Sequence, residues 1–523
     1  MKEIAQATCL SAADSAVEGL PASVEILSLA QARQAFEALE GWLLSREARQ
    51  LALHDVEREQ ERRGREIQRL LLEAHVASRG DGDVGPAIKV RSFEGETEPV
   101  CHSQKRMDLR HPQTIFGQIT TDRLGYCHKE QATVHPLDEQ LQLPGRSFSY
   151  ELQRRVIKAA VQGPFDEAVE RVEESTGVLI PKRSAEEMVQ EAACDFETFY
   201  EGRIPSPQAQ TGPILVGSVD CKGIPMKKSQ PARKVVRLCK GEKANQKKMG
   251  TVAAVYTQQP RVRTPQEVIE SLFEPDSKRP TDPPGKYTRP EHKRVWASLE
   301  KGKAGLIEEV AQEMQRRDGQ KNKEWVVLTD GERALQKRVK AHLSPVCVQC
   351  IGRGISLVLD FHHALEKLWQ AAYVFHDEGS PQAQDWVKKR ALHLLQGHVS
   401  QVIKGMRQSA TKRHLSDQKK KPVEAAAAYF YRNRSHMRYD DYLQRGWPIS
   451  TGVVEGACKN LVKDRMERSG MRWTQQGAEA MLKMRATYLS DDFEEYWTFH
   501  IQQDQERLHP SGHWRPVNTV EQK

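Results

Sequence analysis

Five short apolar runs limit the fold of this chain more than any other feature: 214–220 (ILVGSVD), 235–238 (VVRL), 251–256 (TVAAVY), 325–330 (WVVLTD) and 355–360 (ISLVLD). Most are continuous rather than alternating, the pattern of strands covered on both faces. Helical periodicity separates the later runs, over about 292–317 and 332–343. The pattern therefore predicts an α/β core, a mixed sheet flanked by helices. From 364 to 445 the periodicity turns wholly helical, interrupted near 419–422, which predicts a helical insertion inside that core. The helix after Ser450 then packs back on the sheet.

Three of these runs end in an acid: Asp220, Asp330 and Asp360. A strand end fixes a side chain rigidly while leaving it open to solvent. An Asp-Gly turn after a strand, as at Asp330-Gly331, also has a purely structural use. The segment 450–474 (STGVVEGACKNLVKDRMERSGMRWT) adds Glu455 at the head of a mainly basic helix. Lys459 and Lys463 follow at helical spacing on the same face, and Arg465, Arg468 and Arg472 extend the positive charge, partly offset by Asp464 and Glu467. Val454, Ala457, Cys458 and Leu461 form its apolar stripe. An acid on a face of lysines suits a site that holds a divalent cation and a polyanion together. Phosphoryl transfer on DNA uses two cations roughly 3.5–4 Å apart. Mg²⁺ takes oxygen ligands and keeps several waters, so a few carboxylates suffice. Asp220, Asp330 and Glu455 are the expected catalytic and metal-binding set, with Mg the expected ion, Mn its substitute, and Asp360 a reserve ligand.

The balance of charge points the same way. The 523 residues carry a formal charge of +8, and their 38% hydrophobic content is modest. Two to four domains are expected at roughly 150 residues each. The stretch 222–248 crowds Lys222, Lys227, Lys228, Lys247 and Lys248 with further Lys and Arg around a single acid, Glu242. Directly after Asp220, it is expected to contact DNA phosphates rather than serve only as a solvated connector. No apolar run approaches the roughly 20 residues that cross a bilayer. The N-terminus carries acids and lacks the apolar core of a signal peptide. Nine scattered cysteines suit reduced thiols better than a disulfide framework. These features predict a cytoplasmic protein with no membrane partner.

The expected organisation is a helical arm and linker over 1–110, then a β-hairpin and helix-turn-helix-like region over 111–205. The first part of the core covers 206–363, the helical insertion 364–445, the Glu-bearing helix of the core 446–505, and a tail 506–523. Residues 28–75 form long helices, either a dimerisation element or a solvated arm. The hairpin is placed at 114–129. Three helices follow over 150–201, with Phe165, Ala168, Val169 and Val172 as the stripe of the second and Ser184 with Glu187 capping the third. This region either contacts DNA or is a structural bundle. Residues 260–289 are an insertion with one short helix. Cys347 and Cys350 lack enough nearby partners for the four ligands of structural zinc. A second candidate zinc set, Cys101, His102, Cys127, His128 and His135, is also incomplete, so zinc is not expected. Trp369 and Trp473 are core residues or, alternatively, platforms for an unpaired base.

The stretches SVDCKGIPM, GTVAAVYTQQPRVRTPQEV, VVLTDGERALQ, LVLDFHHALEKLW and STGVVEGACKNLVKDRMERSGMRWTQQGAEAMLKMRATYL occur in an order that resembles the bacterial ISKra-type insertion-sequence transposases. The resemblance covers about 114–497. It implies a ribonuclease-H-like fold, with Asp220, Asp330 and Glu455 binding the catalytic metals, and terminal inverted repeats as the DNA bound. A homodimer on DNA in the bacterial nucleoid is the corresponding assembly. Asp360-Phe361-His362-His363 resembles the Asp-x-x-His signature of related superfamilies, which implies that His363 contacts DNA or orients a strand; Asp360 is alternatively a helix cap. A catalytically silent DNA-binding derivative and a nuclease that cuts without joining are the alternative functions.

Overall fold

The computed structural model describes residues 22–91, 98–129, 131–203, 211–227, 247–273, 289–351 and 354–517. The run at 235–238, most of the basic stretch including Lys228, and the Pro-rich loop after 273 lie outside them. The chain divides into two compact units: 1–156 with 169–181 and 501–523, and 157–168 with 182–500.

The second unit holds a five-stranded sheet. Its strands are β1 (Ile214–Pro225), β2 (Lys247–Gln258), β3 (Glu291–Ser298), β4 (Glu324–Thr329) and β5 (Ser356–Leu359). Their order is β3-β2-β1-β4-β5. β2 runs antiparallel to β1 and β3, while β1, β4 and β5 are parallel. The central strands are apolar on both faces because both faces are covered. On one, Leu215, Val219 and Val255 are buried, as are Leu306, Ile307, Val310 and Met314 of helix α1 (Lys303–Arg317). Gly217 allows this approach: a Cβ there would lie 2.9 Å from the Met314 sulfur. On the other face, Ile214, Val216, Val326, Leu328 and Val358 join one apolar cluster with Phe361, Leu365 and Leu368 of the helix Phe361–Ala372. The cluster continues into helices Pro381–Leu395, Val399–Lys412, Asp417–Asn433 and Tyr439–Gln444. Full burial of each such side chain contributes about 1.5–3 kcal/mol.

The expected α/β class with a mixed sheet is thus present, with several local corrections. The helix expected over 292–317 is two elements, β3 and α1. The first half of β3 is polar, and among the described residues β3 is the edge strand, so only Val295-Trp296-Ala297 reads as apolar. Helix α2 (Arg333–Ile351) runs through Pro345, well past residue 343. The helix Asp417–Asn433 passes through Pro422, so the break falls before residue 417. The third helix of the 150–201 region starts at Lys182, and Arg183 pairs with Glu187 at 3.0 Å, which displaces the Ser184 cap.

In the first unit, helices Ala22–Leu43 and Leu53–Ser78 pack against each other. Of the hairpin expected at 114–129, only a two-residue one forms, Gln113–Thr114 with Gly117–Gln118. Strand Thr121–His128 pairs instead with Gln104–Arg110 and Gln131–Val134. The partner QKRMDLR is largely exposed, so no apolar alternation marked it. The arm and linker expected over 1–110 contain strand Ile88–Val90, seated between Val100–His102 and Trp514–Pro516.

Candidate acidic cleft at the strand ends

Strand register brings the acids together. β1 and β4 are aligned with Ser218 opposite Leu328, and β4 and β5 with Thr329 opposite Leu359. Continuing each register by one or two residues puts Asp220, Asp330 and Asp360 side by side; Asp330 and Asp360 follow the last residues of β4 and β5, whereas Asp220, expected at a strand end, lies within β1, whose pairing with β2 carries it on to Pro225. The turn after β4 is tight. Gly331 has φ +87°, and a Cβ there would meet the Tyr429 hydroxyl at 2.6 Å. That hydroxyl donates to the Asp330 carbonyl at 2.7 Å.

Glu455 arrives on the short helix Gly452–Ala457. Two bonds fix it over the strand ends. The Thr451 N–H donates to Asp360 Oδ1 at 2.9 Å, and the Thr451 hydroxyl donates to Glu455 Oε1 at 2.6 Å. One turn later Cys458 Sγ lies 3.3 Å from Asp220 Oδ2. Burial and the Asp220 charge push the Cys458 thiol up, so it stays protonated and donates. The helix therefore reaches from Asp360 at its start to Asp220. A π-turn, Cys458–Lys463, follows directly; such bulges are frequent at functional sites. Val454, Ala457, Cys458 and Leu461 are buried, whereas Lys459 and Lys463 are exposed and Glu455 and Arg472 also reach the surface.

Asp360 is fully buried, and its carboxylate is occupied by protein donors. Besides Thr451, it accepts from the His363 backbone at 2.9 Å and from His363 Nδ1 at 2.6 Å. Burial alone would raise its pKa, but the bonds from His363 and Thr451 outweigh it and lower it. The bond to Asp360 in turn raises His363 to about 9, against the opposing effect of burial. His363 is thus an imidazolium, 4.0 Å from Glu455 Oε1. Ligand atoms of Asp360, His363 and Glu455 lie within 4.8 Å of one another, close enough for one ion. A metal there would have to displace the proton that His363 shares with Asp360. The group is therefore better described as an ion pair flanking Glu455, with Asp360 a helix cap. Asp220 and Asp330 fall in no such three-ligand group among the described residues.

Lys303, which the sequence pattern did not mark, stands at the cleft. Its Nζ bonds Glu332 Oε2 at 2.6 Å. Burial opposes its charge, but Glu332, Cys221 and Asp330 raise its pKa. Its signal was positional only, a Lys opening the helix after an edge strand.

The expected DNA-binding cations are placed unequally. Lys222 is half-buried on β1, two residues beyond Asp220, and Lys227 is exposed. Lys247 pairs with Glu467 at 2.6 Å, and Lys248 donates to Gln475 at 2.7 Å. Arg465 is not at the surface: it is fully buried, stacked between Phe165 and Trp473 at 5.1 and 5.0 Å, and it donates to the Ala160 carbonyl at 2.7 Å. Trp473 is buried with it and donates to the Met466 carbonyl, which removes it as a base platform. Cys347 is buried in α2, and His342 pairs with Glu308 at 3.2 Å. The Cys350 side chain lies outside the described residues. Both ring nitrogens of His102 are bonded, to the Tyr126 carbonyl and Gln131, and His135 faces Asp108 at 3.2 Å. No described helix is long and apolar enough to cross a membrane. No protein-family model matches this chain, and no curated protein matches its sequence.

Proposed function

We propose that this chain is a metal-dependent DNA phosphoryl transferase, a DDE transposase with a ribonuclease-H-like core. In this reading it binds the terminal inverted repeats of an insertion sequence, cleaves a strand at each end and joins the freed end to target DNA, acting as a homodimer. The observation that carries the proposal is the register of β1, β4 and β5, which lines up three acids under a helix that delivers Glu455. The sheet order, with only the second strand reversed among its neighbours, is what a ribonuclease-H-like core would have.

The donor set fits Mg²⁺, since Asp220, Asp330 and Glu455 offer hard oxygens. Asp360 does not, because it is fully buried and held in an ion pair with His363. Bound by the first three, Mg²⁺ would activate the attacking oxygen and stabilise the leaving one. The remaining residues act by position. Thr451 orients Glu455, Cys458 holds one oxygen of Asp220, and the His363 imidazolium offers a fixed cation to a DNA phosphate at the rim. Lys459, Lys463 and Arg472 continue that positive rim along the helix.

The test is Glu455→Gln, which keeps shape and removes charge. Mg²⁺-dependent cleavage and strand transfer of repeat-ended DNA should be abolished, with DNA binding intact or slightly tighter. Full cleavage by the Gln variant would sink the reading.

A further inference from the structure

A second charged site lies at the other end of the sheet. β2 runs antiparallel to β1, so its last residues face the start of β1, far along the strand from Asp220, and Glu291 at the start of β3 pairs with Thr257. There a cavity of about 780 Å³ opens between the start of β3, the last turn of α1 and the 488–494 turn.

Its charges do not cancel. Arg203 is matched by Asp492 at 2.7 Å, and Lys158 by Glu494 at 2.6 Å. Glu313 alone answers three guanidinium groups, with Arg294 at 2.6 Å, Arg316 at 3.0 Å and Arg317 at 2.7 Å. Those cations hold the Glu313 carboxyl far below the usual range despite burial. Lys293 is exposed and makes no ion pair among the described residues. With Asp491 counted, six cations face four carboxylates in the lining, and Glu495 beside it also pairs with Arg203 at 2.9 Å, which leaves an excess of one positive charge.

Two of these arginines end α1, where a cation also offsets the helix dipole. That accounts for Arg316 and Arg317 but not for Arg294 and Lys293, which come from β3. Arg294 is itself nearly buried. Its guanidinium stacks 3.5 Å from the Tyr200 ring centre and 4.4 Å from that of Trp296, and its Nε has no hydrogen-bond partner among the described residues. A fixed, planar guanidinium with an unused donor suits phosphate. Phe493 and Tyr488 add aromatic surface to the lining, on which a base can stack.

We propose that this cavity binds the phosphates of a nucleic-acid strand, at a site separate from the acidic cleft. The proposal does not rest on the cleavage reading and survives its failure. It is tested by calorimetric titration of a short oligothymidylate with a terminal phosphate into the full chain, with divalent ions chelated. Lys293→Glu and Arg316→Glu should each weaken binding by about fivefold or more and lower the salt slope by roughly 0.7 for each phosphate left unneutralised. Lys404→Glu, exposed on the helix Val399–Lys412, should leave this affinity in place. Lys293 is exposed and pairs with no described residue, so its variant folds and decides the matter even if Arg316→Glu unfolds by disturbing Glu313. Unchanged affinity in Lys293→Glu would overturn the proposal. So would an equal loss in Lys404→Glu. Inorganic pyrophosphate binding as tightly as the oligonucleotide would overturn the assignment to a strand.

Discussion

Arg465 shows how far charge alone misleads. It belongs to a basic run, yet it follows Leu461 by four residues and so falls on the apolar stripe that begins at Val454. The stripe wins: the guanidinium is buried between two aromatic rings, and Nη2 lacks a partner among the described residues. Burial, with Arg485 and Arg468 nearby, pushes its pKa down to about 9. Its work is therefore packing. Arg465→Ala should leave DNA affinity unchanged and cost about 2–4 kcal/mol of stability, as truncation of a large buried side chain does. Urea denaturation alongside a DNA-binding titration checks both halves. A weaker DNA complex at unchanged stability would restore Arg465 to the interface.

Elements that fold by pattern were legible, and those that fold by pairing were not. β1, β4 and β5 read directly because both faces are apolar. β3 and Gln104–Arg110 escaped because one face or one half is polar and only the partner strand makes them strands. The insertion is tied to the core by similarly non-local bonds. Lys340 of α2 donates to His436 Nε2 at 3.2 Å, next to the turn after helix Asp417–Asn433. Burial, with Lys340 and Arg438 nearby, pushes His436 down to about 4. The folded histidine is thus neutral where the unfolded one, near 6.5, binds a proton. The unfolded state binds more protons between those values, so stability should rise with pH from about 4 to about 6.5 and then level off. His436→Asn should flatten that rise in thermal melts taken across the window. An identical pH profile in the variant would show that His436 does not titrate as described.

At the scale of the whole molecule, the net positive charge is spread unevenly over the second unit. Lys247 and Lys248 are engaged by Glu467 and Gln475, whereas Lys459, Lys463 and Arg472 stand at the surface beside the acids. These three should carry the sequence-independent part of DNA binding near the cleft. Lys459→Ala with Lys463→Ala should weaken binding to repeat and non-repeat duplexes alike, and reduce the slope of log affinity against log salt by roughly 0.9 for each phosphate left unneutralised. A loss confined to repeat sequence would assign them to base reading instead.

The sequence by itself determined that there is a buried sheet, that Asp330 and Asp360 follow two of its strands, and which face of the Glu455 helix is apolar. These follow from local periodicity, because side-chain direction repeats every two residues in a strand and every 3.6 in a helix. Tertiary structure alone decided which strands are neighbours, and hence that Asp220, Asp330 and Asp360 lie side by side. It also decided that Asp360 is consumed by His363 and Thr451, that Lys303 reaches the cleft, and that arginines gather around Glu313 at the far end. The physical reason is common to all of these. Strand order, ion pairing and desolvation depend on residues far apart in the chain, so a local pattern carries no trace of them until the backbone has closed.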